Sequence, residues 1–77
     1  MNKQRRNNLE RAVTLLNEAK DILSTCAQEE QEAYDNMPEG IQSSEKGEAM
    51  ETAAQALDEA DTFVNDALNS IDAALGL

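Results

Sequence analysis

The 77-residue chain has no histidine, one cysteine and one proline, and its six basic residues face sixteen acidic ones. Without histidine, neither a Ser-His-Asp triad nor a Glu-x-x-His metal motif can form. A single cysteine excludes an intramolecular disulfide, and the sequence predicts Cys26 to be a small buried hydrophobe. A net charge of −10 leaves no basic surface for DNA or RNA. We therefore predict no catalytic, cofactor-binding or metal-binding residues, no small-molecule substrate and no direct nucleic-acid contact.

Long apolar runs are also missing. No stretch approaches the roughly 18 apolar residues that a membrane span requires. The acids Glu10 and Glu18 interrupt the segment that follows the basic N-terminus, which argues against a signal peptide. A cytoplasmic protein is expected, and the low content of large apolar residues leaves order and disorder both open on composition alone.

Apolar residues nevertheless recur at alternating spacings of three and four, which is typical of amphipathic helices. With Leu9 and Met50 assigned to heptad position a, the a positions hold Leu, Met, Val and Ile, interrupted only by Glu30. The d positions are nearly all alanine: Ala12, Ala19, Cys26 and Ala33, then Ala53, Ala60, Ala67 and Ala74. The pattern predicts an all-α protein whose two helices pack along Ala-rich heptad seams.

The segment between the two repeats predicts a break in the helix. Pro38 lacks a backbone N–H and disfavours helical geometry at the residue before it, while Ser43 or Ser44 can cap a second helix. We expect one domain over 1–77, with helix 1 at about 5–36, a connection at about 37–43 and helix 2 at about 44–75. A connection this short cannot carry the chain back along a long helix, so the sequence predicts an antiparallel two-helix hairpin.

Further apolar side chains flank the seams, and the apolar stripe is therefore wider than one helix pair can bury. Two helices this rich in alanine bury little apolar area. The free energy gained from that burial does little to offset the conformational entropy that the chain loses on folding. The sequence predicts a homodimer, a four-helix bundle, with Leu15, Ile22 and Phe63 at the joint. The same stripe could instead dock a different protein.

Carboxylates are the abundant functional groups. One row of them follows helix 2: Glu48, Glu51, Asp58, Glu59, Asp61, Asp66 and Asp72. Such a row can imitate the phosphates of nucleic acid toward a basic protein, or it can simply keep a small bundle soluble. Residues 1–20 carry +3 and residues 21–77 carry −13. We expect the basic groups near the N-terminus to pair with Asp66 and Asp72 of the other helix.

The segment from Glu29 to Glu51, EEQEAYDNMPEGIQSSEKGEAME, contains an Asp-Asn-x-Pro-Glu turn and follows a basic start and a Leu-rich first helix. In these features, over most of its length, the chain resembles short acidic helical-hairpin proteins encoded by phages and prophages of Gram-positive bacteria. The resemblance implies a mobile-element setting inside a bacterial host cell and carries over no activity or ligand. It favours a non-enzymatic protein-protein interaction module that binds, and in one version inhibits, a host or phage protein. The alternative is a structural, assembly or accessory component of a phage particle.

Overall fold

The structure, a computed structural model, describes residues 1–76, and this part of the chain is helical between turns, with no strand. Two long helices, α1 (Lys3–Asp35) and α3 (Glu45–Leu75), lie side by side, and a one-turn helix, α2 (Glu39–Gln42), connects them. The rod measures 58 × 16 × 15 Å. None of these helices is long and apolar enough to cross a membrane. The predicted domain ends at Leu77, which lies outside the described residues.

Side-chain caps explain where α1 begins. The Asn2 side-chain oxygen accepts the backbone N–H of Arg5 at 2.8 Å, so the helix starts at Lys3, slightly before the predicted position. At the other end, the N–H of Asn36 donates to the carbonyl of Glu32 at 3.0 Å, and Pro38 follows two residues later. The helix stops where proline removes the next donor.

The start of α3 depends on the predicted serine cap. Ser44 Oγ accepts the N–H of Gly47 at 3.4 Å, which confirms Ser44 as the N-cap. Glu45 and Glu48 lie in the first turn, where negative charge favours the helix dipole. At the far end, Gly76 adopts a left-handed conformation with φ of 79° and terminates the helix.

Contacts across the pair show how the two long helices are aligned. Arg6 Nη1 donates to the carbonyl of Leu75 at 3.1 Å, and Lys20 Nζ lies 3.5 Å from Asp61 Oδ1. Residues early in α1 thus meet residues late in α3, so the helices run in opposite directions. Near α2, Gln42 Nε2 donates to the Tyr34 carbonyl at 2.9 Å and ties the connection back to α1.

The packing seam differs from the predicted one. Residues at a positions are half-buried as expected, but the second row of each helix that packs is e rather than d. The buried apolar side chains among residues 1–76 are Ala54, Leu68 and Leu75, all at e positions of α3. Half of the d residues are exposed: Cys26, Ala33, Ala67 and Ala74. A pair that packs through e buries Leu68 and Leu75 where the d row would bury only alanine, and apolar area favours the larger side chains.

The predicted burial of Cys26 is also corrected. Its thiol is free and exposed, so the prediction of a buried small hydrophobe is wrong. Cys26 occupies a d position, and a seam formed by the a and e rows leaves this part of the d row exposed to solvent.

Glycine is required at one place in the fold. Gly47 is buried in the first turn of α3, and a Cβ at this position would overlap the backbone carbonyl groups of Ile41 and Gln42. The missing side chain lets α2 pack directly against the start of α3, although glycine is a poor helix former.

Candidate protein-interaction surface

The two long helices leave two broad faces with different chemistry. On one face both helices contribute to an open groove of about 420 Å³, lined by Ser24, Ala27, Gln28, Gln31, Ala54, Gln55 and Asp58. Ala27 and Ala54 are e-position residues, and the other lining residues are polar. Because both helices turn the e side toward this groove, their d and g positions lie on the opposite side of the rod.

We call the side formed by the d and g positions the apolar face. Its members in α1 are Arg5, Asn8, Ala12, Leu15, Ala19, Ile22, Cys26, Glu29 and Ala33, and in α3 they are Lys46, Ala49, Ala53, Ala56, Ala60, Phe63, Ala67, Ser70 and Ala74. Three of these 18 residues, Arg5, Glu29 and Lys46, are charged, or about 17%, whereas 29% of the whole chain is charged. A charge-depleted face of this length on an exposed helix pair is typical of an interaction surface.

Three large side chains project from the apolar face. Leu15 is 50% exposed, Ile22 is 63% exposed and Phe63 is 62% exposed. Leu15 and Ile22 lie two turns apart on α1, and the contact between Lys20 and Asp61 places Phe63 level with the stretch between them. The structure therefore places the three predicted joint residues level with one another near the middle of the rod, and we call these three residues the apolar patch.

The predicted acidic row is not uniform. Glu48, Glu51, Asp58, Glu59 and Asp66 are exposed, whereas Asp61 and Asp72 are half-buried.

Asp61 is not part of the exposed acidic row as predicted, because its carboxylate lies at the packing seam. Its Oδ1 is buried, and among residues 1–76 the cation near it is Lys20. The distance of 3.5 Å between Lys20 Nζ and Asp61 Oδ1 is longer than that of a good charge-assisted hydrogen bond. The expected pairing of N-terminal cations with Asp66 and Asp72 is also corrected: within the described part of the chain, Lys20 and Asp61 form the ion pair, and Arg6 contacts a backbone carbonyl.

Negative charge accumulates at the end of the rod that contains α2. The pKa of Tyr34 is raised there, first by hydrogen bonding to the Glu51 carboxylate, then by burial, and then by the charges of Glu51, Asp35 and Glu48. Across residues 1–76, no group of three acidic or cysteine side chains is arranged to hold a metal ion.

Charge divides the rod into two unequal halves. The terminal half, residues 1–20 and 61–76, holds five basic and five acidic side chains and is neutral. The tip half, residues 21–60, holds one basic and eleven acidic side chains and carries the entire charge of −10. The apolar patch lies at the boundary between these halves.

No protein-family model matches this chain, and neither a curated protein nor a solved structure is similar enough to match it. The fold and surface define a class, that of small, acidic, all-helical proteins with one exposed apolar face.

Proposed function

We propose that the protein is a non-enzymatic protein-protein interaction module. In this proposal the chain is an antiparallel helical hairpin that dimerises through the apolar face into a four-helix bundle, and the bundle presents the acidic tip halves to another protein. The observation that carries the proposal is the exposed patch of Leu15, Ile22 and Phe63 within a face that is poor in charged residues.

Small size supports self-association. A monomer buries only Ala54, Leu68 and Leu75 among the apolar side chains of residues 1–76, which is a small core for so long a rod. Stacking two apolar faces would cover the large side chains, while the alanines let the helices approach at the short end of the usual 8 to 10 Å spacing.

Sedimentation equilibrium at micromolar concentration, combined with circular dichroism, tests dimerisation. We expect the natural protein to sediment as a dimer. The variant Ile22→Gln/Phe63→Gln should be monomeric and less helical, because glutamine tolerates helix but does not favour burial.

Ile41 supplies the matched control. It is 44% exposed but lies on α2, away from the apolar face, so Ile41→Gln should remain dimeric. A natural protein that stays monomeric with full helicity would contradict the proposal.

For the partner, we propose a basic host or phage protein in the cytoplasm of a bacterial host, bound through the tip half. The acidic charge supports this, because a dense carboxylate surface can occupy sites that otherwise hold nucleic-acid phosphates and so inhibit a nucleic-acid-handling protein. The phage setting is supported by the resemblance of the segment from Glu29 to Glu51. A purely solubilising role for the same charge is the competing explanation.

Affinity capture from host lysate at low and high salt separates these roles. We expect capture that weakens steeply with salt and is lost in Glu51→Gln/Asp58→Asn/Glu59→Gln, whose three positions are exposed and lie in the tip half. Capture that is independent of both salt and these carboxylates would contradict acidic recognition. Incorporation into virions at a fixed copy number would favour the assembly role instead.

A further inference from the structure

We infer that the second copy lies antiparallel to the first, with the tip half of each rod beside the terminal half of the other. This inference rests on the proposed dimerisation and specifies its geometry. It follows from where the apolar patch lies along the rod and from how charge is divided between the two halves.

The patch lies at the centre of the rod. The midpoint of α1, which spans Lys3–Asp35, falls between Leu15 and Ile22, and Phe63 lies level with that midpoint. A two-fold axis through this point, perpendicular to the rods, stacks α1 on the partner's α1 along its full length. Leu15 then meets the partner's Ile22, and Phe63 meets the partner's Phe63, so the patch is self-complementary as a two-fold interface requires.

A parallel arrangement would also bury the patch, and charge decides between the two. Parallel rods place two tip halves, each of charge −10, against one another. Antiparallel rods place each acidic tip half against a neutral terminal half and separate the tips along a rod 58 Å long. That separation greatly exceeds the Debye length of about 8 Å at physiological ionic strength, whereas stacked tips lie within it.

The antiparallel arrangement also pairs two of the charged residues on the apolar face. Arg5 occupies a d position near the start of α1, and Glu29 occupies a g position toward its other end; both are exposed. In one chain they are separated by about 36 Å of helix at 1.5 Å per residue. In the antiparallel dimer Arg5 comes within about one turn of the partner's Glu29, and two such pairs form by symmetry.

A distance between spin labels at the tips measures the orientation directly. Gly40→Cys in a Cys26→Ala background provides the attachment point, because Gly40 is exposed at the tip and a Cβ there meets no atom within 4 Å. Antiparallel rods predict a separation approaching the 58 Å length of the rod. Parallel rods predict about 20 to 30 Å, since packed helices lie 8 to 10 Å apart.

Sedimentation of the labelled protein separates the possible failures. A dimer with the long distance supports the inference, and a dimer with the short distance overturns the orientation while the proposed dimerisation stands. A monomer with intact helicity overturns both.

A charge exchange provides a second, independent test. We expect Arg5→Glu and Glu29→Arg to be coupled, so that the double variant, whose net charge is that of the natural protein, recovers the natural dimer dissociation constant to within about threefold. Arg5→Glu alone should raise the dissociation constant roughly threefold to tenfold at low salt.

Arg11→Glu/Glu32→Arg is the matched control, because it exchanges the same charges at exposed c positions on the outer side of α1. These two substitutions should act independently. Equal coupling in both exchanges, or none between Arg5 and Glu29, would overturn the antiparallel arrangement.

Discussion

Lys20 of α1 and Asp61 of α3 face each other across the packing seam, with Nζ and Oδ1 3.5 Å apart. Both side chains occupy e positions, the row that also supplies the buried Leu68 and Leu75. Side-chain exposures of 32% for Lys20 and 21% for Asp61 place the pair between surface and core. A pair in this environment aligns the helices more than it stabilises them, because partial desolvation offsets much of the attraction.

The pair predicts an asymmetric response to substitution. Lys20→Met should lower the free energy of unfolding by about 1 to 3 kcal/mol, because it leaves the buried Asp61 oxygen without a partner. Lys20→Met/Asp61→Leu should recover this loss or exceed the natural stability. Urea unfolding at one fixed protein concentration measures both variants. A double variant as unstable as the single one would show that the charge pair contributes net stability.

Replacing Gly47 tests the close contact between α2 and α3. Gly47→Ala should destabilise the protein by about 1 to 3 kcal/mol, because the added methyl group overlaps the carbonyls of Ile41 and Gln42. Gly40→Ala is the control, since a Cβ meets nothing there and alanine favours helix by up to about 1 kcal/mol. Thermal unfolding should shift in opposite directions for the two variants. A stabilised Gly47→Ala protein would contradict the close packing of α2.

Titration of the only tyrosine reports on the acidic tip. Glu51→Gln should lower the pKa of Tyr34 toward its ordinary value of 10.0, because the Glu51 carboxylate is the largest cause of the raised pKa. Glu45→Gln removes the same charge from the first turn of α3 at a residue that does not contribute to this shift, and it should change the pKa less. Absorbance of the tyrosinate measures both. Equal shifts would mean that general charge, rather than the hydrogen bond, raises the pKa.

The same pKa predicts how stability changes at alkaline pH. Because the folded-state pKa of Tyr34 lies above the unfolded value, the folded protein retains the phenol proton more tightly. The stabilising contribution is complete below about pH 10 and is lost as the pH rises through the folded-state pKa. Denaturation at a series of alkaline pH values should show this loss, and Tyr34→Phe should flatten that part of the profile.

The reactivity of the Cys26 thiol should depend on whether the apolar face is covered by a second copy of the chain. The thiol is exposed in the single chain and lies one turn from Ile22 on that face. Dimerisation would cover it, so labelling by a thiol reagent should slow as protein concentration rises. In Ile22→Gln/Phe63→Gln the labelling rate should be independent of concentration. A natural protein whose rate is equally independent would show that Cys26 is not covered.

The local structure could be predicted from short sequence signals. Pro38 and the serine cap at Ser44 mark the break between the long helices, because their effects act within one turn of backbone. The prominence of Leu15, Ile22 and Phe63 could also be predicted, since the apolar stripe is too wide for a single seam.

The sequence by itself determined the helices, the break between them and the surplus of apolar residues. Only the tertiary structure decided whether the d row or the e row joins the a positions in the seam. A seam of a and d residues and a seam of a and e residues both have spacings that alternate between three and four, so the spacing alone does not distinguish them. Lys20 and Asp61 are charged residues in the e row, which is unfavourable for packing when each helix is considered alone. Their opposite charges become compatible with packing only once the helix alignment brings them together, and the burial of Leu68 and Leu75 then outweighs that of alanine.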